Sequence, residues 1–144
     1  MGEDSMSVEE RAWAGFLRTH ERLWRQMEEG LAGLNLSMAE LDVLFALDVS
    51  GRVGVRMSDL AERRLMSTGG FTRLADRLER RGVIERRRSE ADGRSLECFL
   101  TAEGRTLLRV ARRTHGQDIQ RLFIDRLSED QLRALTEVWA SLAP

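Results

Sequence analysis

Residues 57–104 read MSDLAERRLMSTGGFTRLADRLERRGVIERRRSEADGRSLECFLTAEG. Ser58 reads as the cap of a short helix from Asp59 to about Arg64, with Leu60 and Ala61 turned inward. Met66-Ser67-Thr68-Gly69-Gly70 breaks that helix and caps a new one. The new helix runs to Arg81. Phe71, Leu74 and Leu78 fall at i, i+3 and i+7 and face a core, while Thr72, Arg73, Asp76, Arg77 and Arg80 take the other faces. Gly82 stands where a helix C-terminus favours positive φ. Val83 to Arg88 reads as a strand, Asp92-Gly93 as a hairpin turn, and Arg94 to Leu100 as the returning strand. Thr101 caps the next helix.

Upstream, Trp13, Phe16, Leu17, His20, Leu23, Trp24 and Met27 recur at spacings of three and four, which predicts a helix from about Val8 to Glu29. Ser37 and Glu40 form a capping box for a second helix, with Leu41, Leu44, Phe45 and Leu47 buried. Val53 to Val55 is a short extended piece. Downstream, Leu107, Leu108, Ala111, Ile119, Leu122 and Phe123 mark a long fifth helix. Ser128 and Gln131 box the start of a last helix carrying Leu132, Leu135, Val138, Trp139 and Leu142. The expected fold is mainly α with a small β-hairpin wing: four helices, a hairpin, two helices. Its centre is a winged helix-turn-helix, a unit whose second helix enters the DNA major groove.

Charge concentrates on that centre. Residues 1–62 hold six arginines against twelve carboxylates, residues 63–94 ten against five, and residues 95–144 seven of each. The net charge of −1 therefore conceals a basic block on the second helix and the hairpin. All 23 basic residues are arginine, the better fork for phosphate and guanine edges, although a GC-rich coding bias has the same effect.

The 144 residues suffice for one domain, with or without an oligomerisation element. With 42% apolar and 33% charged residues the composition is that of a soluble globular protein. No apolar run approaches the roughly 18 residues of a membrane helix. The acidic N-terminus MGEDSMSVEE lacks the apolar core of a signal peptide, so the expected location is the cytoplasm, or the nucleoid when bound to DNA. The single cysteine, Cys98, forms no intrachain disulfide, and with His20 and His115 it gives no zinc-finger spacing. GxxxxGK[ST], GxGxxG and GxSxG are all missing, so neither an enzyme, a cofactor nor a metal site is expected.

The ordered set Met57-Ser58-Asp59-Leu60-Ala61-Glu62, Thr72 to Arg86, Asp92-Gly93-Arg94 and Leu100-Thr101-Ala102-Glu103-Gly104 resembles the MarR family of bacterial transcriptional regulators along nearly the whole chain. The resemblance implies a single MarR-like domain over 1–144, with a winged helix-turn-helix over about 37–101. Dimerisation helices over about 8–34 and 102–143 would flank it. It implies a homodimer on a pseudo-palindromic double-stranded DNA operator, a repressor before an activator. Self-contained packing of those helices within one subunit is the alternative to dimerisation.

Ser67, Thr68, Gly70, Thr72, Arg73 and Arg77 lie on the first turns or the outward face of the reading helix, where hydroxyls and a helix N-terminus suit phosphate. Thr72 and Arg73 match the family's Thr-Arg pair, with Arg73 on a base edge. Arg94 at the hairpin tip is expected to reach a minor groove. Asp92 matches the family's wing aspartate, and the resemblance implies that it orients Arg94 by a salt bridge, with a simple turn residue as the alternative reading. Arg86 and Arg88 share one strand face and Arg87 the other, with phosphate contacts expected from one face only. The family also responds to small aromatic or anionic molecules. Trp13, Phe16, His20, Asp42 and Phe45 are the candidates here, and Trp24 and Trp139 are assigned to packing. Cys98 alternates with polar Glu97 and is expected to point inward. The competing reading is a winged-helix protein-interaction module, which would not need Arg73, Arg77, Arg86 and Arg94 together.

Overall fold

The computed structural model describes residues 6–63 and 66–144, so the expected end of the third helix at Arg64 lies outside the described residues. The elements are α1 (Val8–Leu31), α2 (Met38–Ser50), β1 (Val55–Arg56), α3 (Met57–Arg63), α4 (Thr68–Arg80), β2 (Ile84–Arg88), β3 (Leu96–Leu100), α5 (Ala102–Leu122) and α6 (Glu129–Leu142). Short 3-10 turns at Ala32–Leu34 and Ile124–Arg126 complete them. Among the described residues no single helix is long and apolar enough to cross a membrane. The chain divides into two compact units, residues Leu31–Arg113 and the residues up to Gly30 together with Thr114–Pro144.

In the unit Leu31–Arg113, local hydrogen bonds set the helix starts. The Ser37 side chain accepts from the Glu40 N–H at 3.1 Å and the Glu40 carboxylate accepts from the Ser37 N–H at 2.9 Å, the expected capping box. Ser67 caps α4 by accepting from the Gly70 N–H at 3.1 Å. The Thr101 hydroxyl accepts from the Gly104 N–H at 3.0 Å. Ser58 lies inside α3 rather than capping it, because β1 runs directly into the helix, which opens at Met57, two residues before the expected Asp59.

The core of this unit combines Leu41, Val43, Leu44 and Leu47 of α2 with Leu60 of α3, Phe71, Ala75 and Leu78 of α4, and Ile84, Cys98 and Leu100 of the sheet. On α4 it is Ala75 rather than Leu74 that is fully buried between Phe71 and Leu78. Phe45 of α2 is only half-buried.

The wing has three strands, not the expected two. They are antiparallel in the order β1-β3-β2. Val55 pairs with Cys98 and Arg56 with Glu97 on one edge, while Ile84 pairs with Leu100 and Arg88 with Leu96 on the other. The returning strand starts at Leu96 because residues 89–95 form the turn. The α4-to-β2 corner passes through Gly82 at φ 71°, a conformation that a Cβ would strain.

The unit of α1, the end of α5 and α6 is organised differently. Ser7 and Glu10 form a capping box that starts α1, with hydrogen bonds of 3.2 and 2.8 Å. Ser128 and Gln131 form the expected box at α6. Yet Leu122 is the one buried hydrophobic among the described residues of this unit. Trp13 (64% exposed), Phe16, Leu17, Trp24, Val138, Trp139 (45%) and Leu142 (72%) leave much of their surface in solvent.

Candidate nucleic-acid interface

α4 begins at Thr68, with Ser67 as its cap. Its first-turn N–H groups follow the Ser67 cap, and Gly69 and Gly70 bring no side chain over them. Thr68 opens the helix, and its side chain lies outside what the structure describes. Arg73 is exposed one turn further on and makes no ion pair among the described residues. Its guanidinium lies 3.8 Å from the position a Cβ would take on Gly69. Thr72 is half-buried on the same turn.

Arg77 and Arg86, both expected at phosphate, have their guanidinium forks engaged within the protein. Arg77 donates to Glu40 at 2.9 and 3.1 Å. Arg86 extends from β2 over α4. Its Nη2 lies 2.6 Å from both Asp76 Oδ1 and Glu79 Oε2, and its backbone N–H reaches Glu79 Oε1 at 2.9 Å. At 16% side-chain exposure Arg86 clamps the wing to α4, an intramolecular role. The Arg86 guanidinium holds the Glu79 carboxyl below its ordinary range, and the two carboxylates raise Arg86 in turn.

The strand alternation follows the expected rule. Arg87 lies on the opposite face, stacked 4.8 Å over the Phe99 ring and paired with Glu85. Arg88 is exposed at the end of β2 and donates to the Gly93 carbonyl at 3.2 Å.

Asp92 organises the turn as a turn residue, without the salt bridge to Arg94 that the resemblance implied. Its Oδ1 accepts from the backbone N–H of Arg94 and of Ser95, each at 2.9 Å, and from the Ser95 hydroxyl at 2.9 Å. These bonds, the Ser95 N–H foremost, hold its carboxyl down at about 2. Its ion pair is with Arg56 of β1 at 3.5 Å, not with the Arg94 side chain. Asp92 therefore shapes the backbone that carries Arg94, and the Arg94 side chain is left exposed. Arg56 is a contributor that sequence reasoning missed. Only the third strand brings it beside the turn.

The arrangement offers an anion a capped helix start with bare backbone N–H groups and, one turn later, an arginine with no ion pair among the described residues. A wing turn with arginines at positions 88 and 94 adds to these. Cys98 contributes nothing reactive. Burial pushes its thiol up to about 11, and its Sγ rests 3.3 Å from Met57 Sδ.

The effector candidates divide between the two units. Trp13, Phe16 and His20 form a ladder along α1 with ring centroids 5.9 and 6.3 Å apart, and Phe16 lies 6.0 Å from Trp139. With α6 they line a groove of about 1040 Å³. Asp42 and Phe45 belong to the other unit, where Arg112 stacks 5.2 Å over the Phe45 ring and pairs with Asp48 at 2.9 Å. One face of that ring is therefore already covered.

The family model described as MarR family matches residues 33–95. An uncharacterized HTH-type transcriptional regulator of Bacillus subtilis, YfiV, is 31% identical over 110 residues, covering 76% of this chain and 68% of YfiV. The transcriptional repressor MprA of Escherichia coli K12 is 33% identical over 95 residues, covering 65% of this chain and about half (54%) of MprA. Sco3205, a MarR family transcriptional regulator from Streptomyces coelicolor solved in complex with DNA, shares the fold. Its TM-score is 0.85 at 24% identity, with 95% of this chain and 87% of that one covered. Matched in sequence across its helix-turn-helix and in fold along nearly its whole length, the chain belongs to the MarR family of transcriptional regulators.

Proposed function

We propose that the protein is a sequence-specific double-stranded DNA-binding regulator rather than an enzyme, and that it acts as a homodimer on a pseudo-palindromic operator. The observation that carries the reading is the pairing of two exposed arginines, neither in an ion pair among the described residues, with rigid supports. Arg73 stands on a capped helix turn, and Arg94 stands on a turn held by three hydrogen bonds to Asp92. Ser67, Thr68, Gly70 and Thr72 are the proposed phosphate partners beside the first, and Arg88 the one beside the second. The complex of Sco3205 with DNA supports this use of the fold.

The exposed apolar surface of α1 and α6 supports the homodimer, since an apolar face of this extent calls for a partner. The name of MprA supports repression as the outcome. A small aromatic or anionic effector completes the proposal, with Trp13, Phe16 and His20 as the aromatic contacts and Asp42 as the acidic one.

The test is selection of bound sequences from random duplex DNA at about physiological salt, with sedimentation to give the stoichiometry. The expected result is an enriched pseudo-palindrome with half-sites about one helical turn apart, bound by a dimer and lost with Arg73→Ala and with Arg94→Ala. With 6–10 phosphate contacts the affinity falls roughly 10³–10⁵-fold between about 50 and 200 mM salt. Weak binding without enrichment refutes the proposal and favours a protein-interaction module.

A further inference from the structure

We infer that Arg77 is a positioning residue, fastening the DNA-reading helix α4 to the buried carboxylate of Glu40 rather than touching DNA. The inference rests on the DNA-binding reading above and assigns the division of labour within it.

Glu40 is 3% exposed at its side chain, the deepest carboxylate in any described ion pair. Both of its oxygens are used. Oε1 accepts from Arg77 Nε at 2.9 Å. Oε2 accepts from Arg77 Nη2 at 3.1 Å and from the Ser37 N–H at 2.9 Å. One carboxylate thus closes the capping box of α2 and receives the bidentate fork of an arginine 37 residues away. At the C-cap of α4, Arg81 donates to the carbonyls of Asn35 and, at 3.0 Å, of Leu34. Asn35 holds the left-handed conformation at φ 51°, which asparagine tolerates better than most residues. The second half of α4 is therefore anchored twice to a single stretch, residues 34–40.

A phosphate that took the Nε–Nη2 edge of Arg77 would have to draw it away from Glu40 and leave a buried carboxylate without its counter-charge, a state far costlier than the intact pair. The half-exposed side chain keeps only Nη1 outside the described hydrogen bonds. Arg73 has no described ion pair to give up. It lies one turn, about 6 Å of helix rise, from Arg77. The pinned half of the helix sets the roll angle and hence the direction in which Arg73 points. Arg77 acts on base reading through Arg73.

The test uses the full-length protein with two probes, the duplex enriched by selection and a scrambled duplex of equal length. Binding is followed by anisotropy from about 50 to 300 mM salt. Folding of each variant is checked first by circular dichroism and melting. Glu40→Gln keeps an acceptor for the capping box and keeps the Arg77 charge. It is expected to weaken the enriched duplex roughly tenfold, the size of one misaligned base contact, with the scrambled duplex and the salt slope unchanged. Arg77→Gln is expected to do the same. Arg77→Lys keeps charge but loses the fork, and is expected to recover only part of the discrimination.

A phosphate-contacting Arg77 gives the opposite pattern. Arg77→Gln would then flatten the salt slope by roughly 1.8 for the two copies in a dimer and weaken both duplexes alike. Glu40→Gln would bind as tightly as the parent or tighter. That pattern overturns the inference while leaving the DNA-binding reading intact. Failure of the parent protein to enrich any duplex removes both. If Glu40→Gln does not fold, the slope and discrimination of the two Arg77 variants decide by the same criteria.

Discussion

Gly69 and Gly70 follow one another in the first turn of α4, and the surroundings of the two backbones differ. A Cβ on Gly69 meets only the Arg73 guanidinium, at 3.8 Å, an ordinary van der Waals contact. A Cβ on Gly70 meets Ser67 Oγ at 3.1 Å, and that oxygen is the cap accepting from the Gly70 N–H. Alanine is better than glycine by up to about 1 kcal/mol in a helix, less in a first turn, largely because the unfolded chain loses freedom. Gly69→Ala therefore stabilises by about 0.5–1 kcal/mol. Gly70→Ala has the same gain offset by a displaced cap worth about 1 kcal/mol, so its net effect is near zero or unfavourable. The difference of about 1 kcal/mol corresponds to about 3–5 °C in Tm for a domain of this size. Thermal melts should be run at one protein concentration, because the Tm of an oligomer moves with concentration. Equal stabilisation by both substitutions, or a lower Tm for Gly69→Ala, refutes the geometric argument.

Gly104→Ala is expected to cost more than about 3 kcal/mol, seen as a large drop in urea midpoint. The new Cβ would overlap the Val83 carbonyl oxygen and stand 2.7 Å from Leu100 Cδ1. Cys98, with its thiol at about 11, should resist iodoacetamide at pH 8 in the folded protein and react promptly in urea. Fast labelling of the folded protein would contradict its burial. Asp92 has a folded value of about 2, below its ordinary 3.8, so its support of the wing turn is complete above about pH 4 and disappears as pH falls through about 2. Amide exchange at Arg94 and Ser95 should report that loss, and Asp92→Asn should loosen the same amides already at neutral pH.

What was legible in the sequence is what neighbouring residues decide among themselves. The Ser37/Glu40 and Ser128/Gln131 boxes, the Ser67 and Thr101 caps and the Gly82 corner involve partners within three residues or a single backbone preference. The 3.6-residue period of α1 and α6 was equally plain, because a wide apolar stripe needs no knowledge of what covers it. The third strand was not legible. Two residues carry too little pattern, and their pairing with Glu97 and Cys98 lies some forty positions away. The fates of the arginines were hidden for the same reason. Nothing near Arg77 announces Glu40, and the alternation that put Arg86 and Arg88 on one face did not say that Asp76 and Glu79 wait there. Asp92 met Arg56 instead of Arg94 only because β1 brings Arg56 alongside the turn. Basic residues announce a charged surface, but three-dimensional pairing decides which of them remain available to a ligand.

The corner where α4, the wing and α5 meet has a mechanical meaning. The Thr101 hydroxyl donates to the Gly82 carbonyl at 2.6 Å and receives the Gly104 N–H, while the Thr101 N–H binds the Val83 carbonyl at 3.1 Å. Gly104 lets the two backbones touch. The end of the reading helix, the root of the hairpin and the first turn of α5 are thereby welded into a single stiff bracket. A displacement of the start of α5 would therefore carry the end of α4 and the root of the hairpin with it, as one lever rather than three separate elements.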